Sequence, residues 1–359
     1  MASKTGFAKD ASRRARQTNP AVLRQAMLRR VPKRVTGRGQ IELPAVPALV
    51  DHHVHCLETI FGALGRVFTP QELGHLRGIM ERSAQEAFQV SPTSKIVVRW
   101  ETEPLPAKAI SYNVSIRTWT TSDEYADWVK IRKPPLFGEH PDAKVMELAR
   151  SLGPPAEVPV LDIGAGTGRN AVPLAREGFP VDAVEVAPAL IAILREAVAA
   201  EGLAVRVLEG DALDPSLDVP IGHYRLVVLA EVVASHFRRL AQLRTLFERS
   251  AGLLAPGGLL VLSAFLASEG YKPDPLARQM SEMFWCCLFT RREMLEAIDG
   301  LPFDRISDES ASEFERAHLP SGQWPPTGWY EAWANGRDLF DLPQQQSPCE
   351  LRWLVYRRR

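Results

Sequence analysis

The stretch Val158-Pro159-Val160-Leu161-Asp162-Ile163-Gly164-Ala165-Gly166-Thr167-Gly168-Arg169-Asn170-Ala171 decides how the chain is read. Its first half is an apolar run of the length of a buried strand, and its second half is glycine-rich and enters a helical pattern. Glycines at a strand-to-helix turn let the backbone bend tightly and approach a ligand closely. Alone the signal is weak, because Gly166-x-Gly168-x-x-Ala171 also fits a dinucleotide fingerprint. Two acids tip the choice. Asp162 stands just before the glycines, where a carboxylate repels a pyrophosphate on the following turn but welcomes a cationic amino-acid moiety. Glu185, at the end of the next strand, can accept both hydroxyls of a ribose. Gly210-Asp211-Ala212 follows the third strand, where an acid can accept from an adenine amino group. Three acids ending three successive strands describe a ligand with a ribose, an adenine and no phosphate charge.

Outward from this stretch the pattern is α/β. A helix over 143–152 leads in, and strands over 158–163, 181–185, 205–208, 224–230 and 259–265 alternate with helices. That alternation predicts a Rossmann-like doubly wound sheet, mostly parallel, with helices on both faces. Thr290-Arg291-Arg292-Glu293 is a capping box, and late strands over 303–307 and 350–356 flank a Trp- and Pro-rich insertion.

Upstream, Val46, Leu49, Val50, Val54, Leu57, Ile60, Phe61 and Leu64 recur at helical spacing and stop at Gly65. Thr69-Pro70-Gln71-Glu72 opens a second helix. Ile96, Val98 and Trp100, then Ile110, Tyr112, Val114 and Ile116, alternate with polar residues as a half-buried antiparallel pair. The expected organisation is a basic, disordered tail over 1–40, in which 21–30 can form a short basic helix. A helix–helix–strand–strand module (a small α+β, ααββ unit) follows over 41–120, and a catalytic domain over 121–359 carries insertions at about 266–289 and 309–347.

The chain has 359 residues with 43 basic and 43 acidic side chains, so its formal net charge is zero. Eleven of the cations and one acid, Asp10, lie in residues 1–40, leaving 32 basic and 42 acidic residues after position 40. A basic tail is thus joined to an acidic body. At 45% apolar residues the chain can bury a real core, which excludes collagen-like, wholly disordered and disulfide-scaffold classes. The four cysteines, Cys56, Cys286, Cys287 and Cys349, form no C-x-x-C pair and point to a reducing, cytoplasmic setting. The charge-free run 250–268 is broken by Pro256-Gly257-Gly258, so no membrane span is expected. No apolar segment follows the early cations, so no signal peptide is expected.

The run VLDIGAGTGRNAVPLAREGFPVDAVEVAP (160–188), with EGDALD (209–214) and YRLVVLAEVVASHF (224–237) downstream, resembles class I S-adenosylmethionine-dependent methyltransferases. Its Gly-Arg-Asn and Gly-Phe-Pro-Val-Asp segments are most similar to the tellurite-resistance-type small-molecule branch. The resemblance covers roughly 139–359. It implies S-adenosylmethionine as methyl donor, with Gly164, Gly166 and Gly168 lining the methionine end and Asp162 turned to its ammonium. It further implies Glu185 on the ribose, Asp211 with Ala212 on the adenine, and an antiparallel final strand. Nothing in it extends to the 41–120 module.

Methyl transfer from a sulfonium is an in-line displacement, so a protein mainly holds acceptor and methyl in line and excludes water. Soft acceptors need no general base, whereas hydroxyl and ammonium acceptors do. Glu231 and His236, at the exit of the fourth strand, are the catalytic candidates by position. The alternatives are a solvated carboxylate at a helix start and a histidine bonded to the backbone. No Asn/Asp-Pro-Pro-Tyr/Phe signature stands there, which argues against a DNA adenine methyltransferase. Tyr125–His140 mixes aromatics with cations, so Trp128 or Phe137 could meet the sulfonium or acceptor, and Arg132 or Lys133 a carboxylate; a plain connector is the alternative. Aromatic insertions around Phe284, Trp285, Trp329 and Trp333 are candidate acceptor walls or simple packing.

Asp51-His52-His53-Val54-His55-Cys56 invites a metal reading, but no further Cys/His cluster completes a tetrahedral set, so no metal is expected. The expected partner is a small-molecule acceptor rather than a nucleic acid, and the N-terminal module can serve a homodimer. The alternative is a nucleic-acid- or ribosome-associated methyltransferase or binder that docks through the basic tail.

Overall fold

A computed structural model describes residues 16–103 and 110–359. Its largest element is an eight-stranded sheet, built from runs whose alternate residues are apolar on both faces. Along the sheet the order is β10 (Phe303–Ser310), β11 (Cys349–Arg358), β8 (Leu254–Ala267), β7 (Tyr224–Leu229), β4 (Val160–Ile163), β5 (Val181–Glu185) and β6 (Val205–Glu209). A short β9 (Leu288–Phe289) pairs with β8 off this path. The strands from β4 to β8 run parallel, and β11 lies antiparallel between β8 and β10. This is the α/β Rossmann-like architecture expected, with the antiparallel last strand in place.

Side chains of period two divide between two buried layers, as a sheet covered on both faces requires. Val160, Val228, Val261, Phe265 and Trp353 pack on one face, with Val145, Met146 and Ala149 of helix Ala143–Ser151. Leu161, Val227, Leu260, Leu262 and Tyr356 pack on the other, against Leu243, Leu246 and Phe247 of helix Leu240–Leu253. Chain order reverses between β4 and β7, where an open α/β sheet leaves a crevice at its strand C-termini. Asp162, Glu185 and Glu231 sit at or just past the C-terminal ends of β4, β5 and β7. The capping box at Thr290 forms, its hydroxyl accepting the Glu293 N–H while the Glu293 carboxylate accepts the Thr290 N–H at 2.8 Å.

By contact density the described residues form two units, one of 16–43, 50–81, 97–103 and 110–115, the other of 44–49, 82–96 and 116–359. The first has its own aromatic core. Phe61, of helix Val50–Ala63, is fully buried with ring centroids 5.6 Å from Phe68, 5.9 Å from Trp100 and 5.8 Å from Tyr112. The next helix, Pro70–Val90, starts at the Thr69–Glu72 capping box.

Here the structure departs from the sequence reading. The module's sheet has three antiparallel strands, because β1 (Arg38–Pro44) joins β2 (Lys95–Thr102) and β3 (Ile110–Arg117). Residue 40, the expected end of the disordered tail, lies inside β1. The strand was hidden because only Ile41 and Leu43 alternate with Gln40 and Glu42, too short a run to register as period two. Gly39 belongs to the packing: a Cβ there would lie 2.4 Å from the Trp100 ring. The short basic helix is present as Pro20–Leu28, its first N–H groups received by Asn19 Oδ1. The rest of the expected tail, 1–15, lies outside the described residues.

Emptying the first unit's core should be costly. Phe61→Ala is expected to destabilise that unit by about 3–5 kcal/mol, the usual range for a fully buried phenylalanine, read as an early unfolding transition in urea.

Candidate active site

A cavity of about 450 Å³ opens at the C-terminal ends of β4, β5 and β7. Its floor is the glycine turn. Helix Thr121–Ile131 and the segment after it supply Tyr125, Trp128, Arg132 and Phe137. The first insertion contributes Phe284 and Trp285, the second Trp329, Trp333 and Asp338.

Asp162 is 2% exposed, and its Oδ2 has no hydrogen-bond partner among the described residues. Burial pushes its carboxyl up to about 7, and the neighbouring Asp142 acts in the same sense against the opposing Arg169. A buried carboxylate oxygen without a donor is costly, and a proton or a cationic group relieves that cost. The turn beside it needs glycine. Gly164 and Gly166 have φ of +69° and +56°, and a Cβ on Gly164 would lie 2.3 Å from Val232. At Gly166 a Cβ would meet only Phe137, at 3.5 Å, so there the bare backbone faces open cavity. Gly168, at φ +94°, is needed by packing, since a Cβ would meet Leu194 at 2.6 Å.

Glu185 is buried and rigidly held. Its Oε1 accepts the Val186 and Ala187 N–H groups at 2.8 Å each, and its Oε2 accepts the Gly166 N–H at 2.9 Å. Of about four lone-pair sites on a carboxylate, one on Oε2 remains. Gly210 donates to the Glu185 carbonyl at 3.0 Å, which brings the start of the Gly210-Asp211-Ala212 turn to this strand end. Asp211 itself is exposed, accepts the Leu213 N–H and does not line the cavity, while Ala212 is buried in the core of the opposite layer.

Arg169 joins two acids. One guanidinium nitrogen lies 2.6 Å from Asp142 and the other 2.7 Å from Glu231, with Arg169 and Asp142 nearly closed to water. Glu231, expected as a helix-start acid, is both the residue before helix Val232–His236 and a cavity wall. Burial raises its carboxyl above the ordinary range, with Arg169 opposing. Its Oε1 is bonded to Arg169, and Oε2 has no hydrogen bond among the described residues. His236 also lines the cavity. Its Nε2 lies 2.8 Å from the Tyr125 hydroxyl, and burial lowers its pKa to about 4, so it is neutral at physiological pH. Burial raises the Tyr125 phenol, so both partners of this hydrogen bond are neutral and the histidine tautomer sets which of them donates.

The structure thus gathers Asp162, Gly164, Gly166, Glu185, Glu231 and His236 around one cavity, and leaves Gly168, Asp211 and Ala212 outside its lining. The aromatic lead-in is a wall rather than a bare connector: Trp128 and Phe137 line the cavity, and Arg132 stacks 3.7 Å over the Trp128 ring. Sequence reasoning missed Asp142 and Tyr125 as partners, because their contacts span 27 and 111 residues and no local pattern marks them. In the Asp51–Cys56 segment, Asp51 pairs with Arg77, and His55 lies 3.8 Å from Glu58. Among the described residues no three His, Cys, Asp or Glu side chains are grouped to hold a metal ion.

Residues 160–258 match the family model of a methyltransferase domain. That domain holds the glycine turn, Glu185 and Glu231, and S-adenosylmethionine is the methyl donor such domains use. The ribosomal RNA small subunit methyltransferase C of Alcanivorax borkumensis is 30% identical over 157 residues, 42% of this chain and 46% of that protein. The demethylmenaquinone methyltransferase of Thermus thermophilus is 37% identical over 108 residues, 30% of this chain and 46% of that one. The chain spans about half the length of the curated relatives it matches. Among solved structures, the geranyl diphosphate C-methyltransferase of Streptomyces coelicolor A3(2), bound to S-adenosyl-L-homocysteine, is similar at a TM-score of 0.46 and 18% identity, covering 60% of this chain and 79% of that one.

The buried Asp162 carboxyl has a measurable signature. A carboxyl whose folded pKa is raised from 3.8 to about 7 stabilises the fold at low pH and loses that stability as pH rises through about 7. Above that pH the folded protein carries a penalty on the order of 4 kcal/mol. Asn carries none. The Tm gain of Asp162→Asn over the native protein should therefore widen between pH 4 and 8, as read by thermal melts across that range.

Proposed function

We propose that the protein is an S-adenosylmethionine-dependent methyltransferase that acts on a small-molecule acceptor. The observation that carries this reading is the partnerless buried Oδ2 of Asp162 beside the open backbone of Gly166. An ammonium satisfies that oxygen, and a phosphate would be repelled by it. The methionine end of the cofactor fits this corner, with Asp162 on its ammonium and Gly164, Gly166 and Gly168 forming the turn beneath. Glu185 Oε2 has one acceptor position left for a ribose hydroxyl, so accepting both would displace a main-chain donor. Asp211 and Ala212 follow next along the strand ends, on the adenine side. When bound, the sulfonium supplies an electrophilic methyl, whose C–S electron pair stays on sulfur as the acceptor's lone pair forms the new bond.

This chain's residues supply the surroundings. Tyr125, Trp128, Phe137 and Trp285 exclude water, and Glu231 and His236 are among the polar side chains of the lining. Walls of this kind favour a small, water-poor acceptor over a polyanion. The Gly168-Arg169-Asn170 sequence supports placing the chain in a tellurite-resistance-type, small-molecule branch. We further propose a cytoplasmic setting, from the cysteine spacing, and a homodimer through the N-terminal module. Among the described residues no helix is long and apolar enough to cross a membrane.

A ribosomal or other nucleic-acid acceptor is the second reading, favoured by the eleven cations in the first forty residues. It requires affinity for RNA that falls steeply with salt and is lost on deletion of 1–40.

Calorimetry with S-adenosylhomocysteine tests the first reading without relying on turnover. The native protein should bind, and Glu185→Ala should weaken binding about tenfold or more, about 1.4 kcal/mol. No binding by the native protein overturns the reading. With labelled methyl donor, transfer to small molecules but not to ribosomal RNA then separates the two acceptor classes.

A further inference from the structure

The two non-glycine residues with positive φ among the described residues, Glu231 at +64° and Trp285 at +58°, both line the cavity. L-residues keep that conformation only where their surroundings enforce it, and such positions concentrate at ligand sites. Here the enforcement is visible. The Glu231 N–H donates to the buried Ser263 Oγ at 2.7 Å. Trp285 closes the C-terminal turn of helix Pro275–Met283, its N–H donating to the Glu282 carbonyl at 3.3 Å and the Cys286 N–H to the Ser281 carbonyl at 2.9 Å. Its own carbonyl accepts the Trp333 indole N–H at 2.9 Å. These constraints fix the main chain and leave the side chain to the cavity.

Trp285 meets three other rings there, that of His236 at 5.2 Å and those of Tyr125 and Trp128. Its centroid lies 5.8 Å from Tyr125 and 5.3 Å from Trp128, and those two are 5.2 Å apart. Interplanar angles of 58°, 48° and 83° mean that the rings are mutually inclined and form a corner instead of a stack. Ring faces are electron-rich, so a corner of this kind attracts a cation. The charges around it have the matching sign. The lining carries five carboxylates, Glu124, Asp162, Glu185, Glu231 and Asp338, against two guanidiniums. One of these, Arg169, is committed to Asp142 and Glu231, and the other, Arg132, lies on the Trp128 ring. A carboxylate or phosphate acceptor would find repulsion on most sides.

We propose that the acceptor is an organic amine, seated as its ammonium between the Glu231 carboxylate and the corner formed by Tyr125, Trp128 and Trp285. This rests on the methyltransferase reading above and names its substrate class. An ammonium nitrogen has no lone pair and must lose a proton before it can attack. Glu231 Oε2, which has no hydrogen bond, takes that proton: the N–H bond breaks, the pair stays on nitrogen and an O–H bond forms. His236 is the poorer acceptor, because its Nε2 is already paired with the Tyr125 hydroxyl. It serves as a positioning residue that holds the Tyr125 ring in the corner. The amine lone pair then forms the N–C bond as described above, and the proton on Glu231 passes to solvent when product leaves.

Three isosteric probes read the charge preference directly: benzylamine, benzyl alcohol and benzoate, titrated at pH 7.5 against tryptophan fluorescence with and without saturating S-adenosylhomocysteine. Benzylamine should bind at least tenfold more tightly than benzyl alcohol, and benzoate more weakly than either. Glu231→Gln should cost benzylamine about tenfold and leave benzyl alcohol within twofold. Trp128→Leu, which leaves the Arg169–Glu231 pair intact, should weaken benzylamine several-fold and decides the matter if Glu231→Gln fails to fold. Equal or tighter binding of benzyl alcohol or benzoate, or a charge preference unchanged in the folded variants, overturns the proposal. Failure to bind S-adenosylhomocysteine overturns the methyltransferase reading instead. Binding it without an amine preference overturns only the acceptor class.

Discussion

Arg169 holds Asp142 with one nitrogen and Glu231 with the other, and almost none of its side chain reaches water. Asp142 precedes helix Ala143–Ser151, Arg169 belongs to the glycine turn, and Glu231 follows β7. One guanidinium therefore sets the spacing of three segments that meet at the cavity. Removing one partner from such a group costs about 3–5 kcal/mol, although a well-packed apolar replacement of the whole group is often no less stable. What the charged version adds is geometry: a planar, bidentate cation fixes where Glu231 lies relative to the glycine turn. Position, more than net stability, is what the rest of the site draws from it.

Behind Arg169 the polar network continues without gaps. Asn170 donates to Asp142 at 2.9 Å through its side chain and accepts the Asp142 N–H at 2.9 Å. Glu315, 1% exposed, accepts the Ala143 and Lys144 N–H groups and the Trp353 indole N–H at 3.0 Å. Glu315 belongs to helix Ala311–His318 in the second insertion, so that insertion receives the open N–H groups of the helix after Asp142. Buried polar groups of this kind are tolerable only when each is satisfied. The inserted segment that carries Trp329 and Trp333 is thus bound to the same polar core that orients Glu231.

The legible part of the sequence was the part governed by short-range pattern. Strands β4, β5 and β7 were readable because each is a short, mostly apolar run closed by turn residues, whereas β8 starts at Leu254, ahead of the Pro256-Gly257-Gly258 turn that was expected to precede it. Glu231 and His236, singled out by their position at a strand exit, line the cavity. What they do there was not readable. The pairing of His236 with Tyr125 joins residues 111 apart, and the partnership of Glu231 with Arg169 joins residues 62 apart. Trp285 read as an aromatic in an insertion, but its left-handed turn at the end of helix Pro275–Met283 carries no glycine to mark it, and its carbonyl is held by Trp333, 48 residues away. β1 escaped for a different reason: its residues are polar in composition, and the strand exists because Gly39 leaves room for Trp100.

The acidic surplus of the body acquires a physical role at this cavity. Carboxylates brought together with little water raise one another's proton affinity, as the Asp142 contribution at Asp162 shows. Protonation is one way to relieve such crowding, and cationic ligands are another. On the proposed reading the ligands bring an ammonium to Asp162 and a second ammonium to Glu231, so each cation replaces a proton that the pocket would otherwise take up. The cost of burying these acids is then carried by the empty protein and offset on binding. A site built this way selects by charge before it selects by shape, because a neutral or anionic molecule of the same size leaves the repulsion among the carboxylates in place.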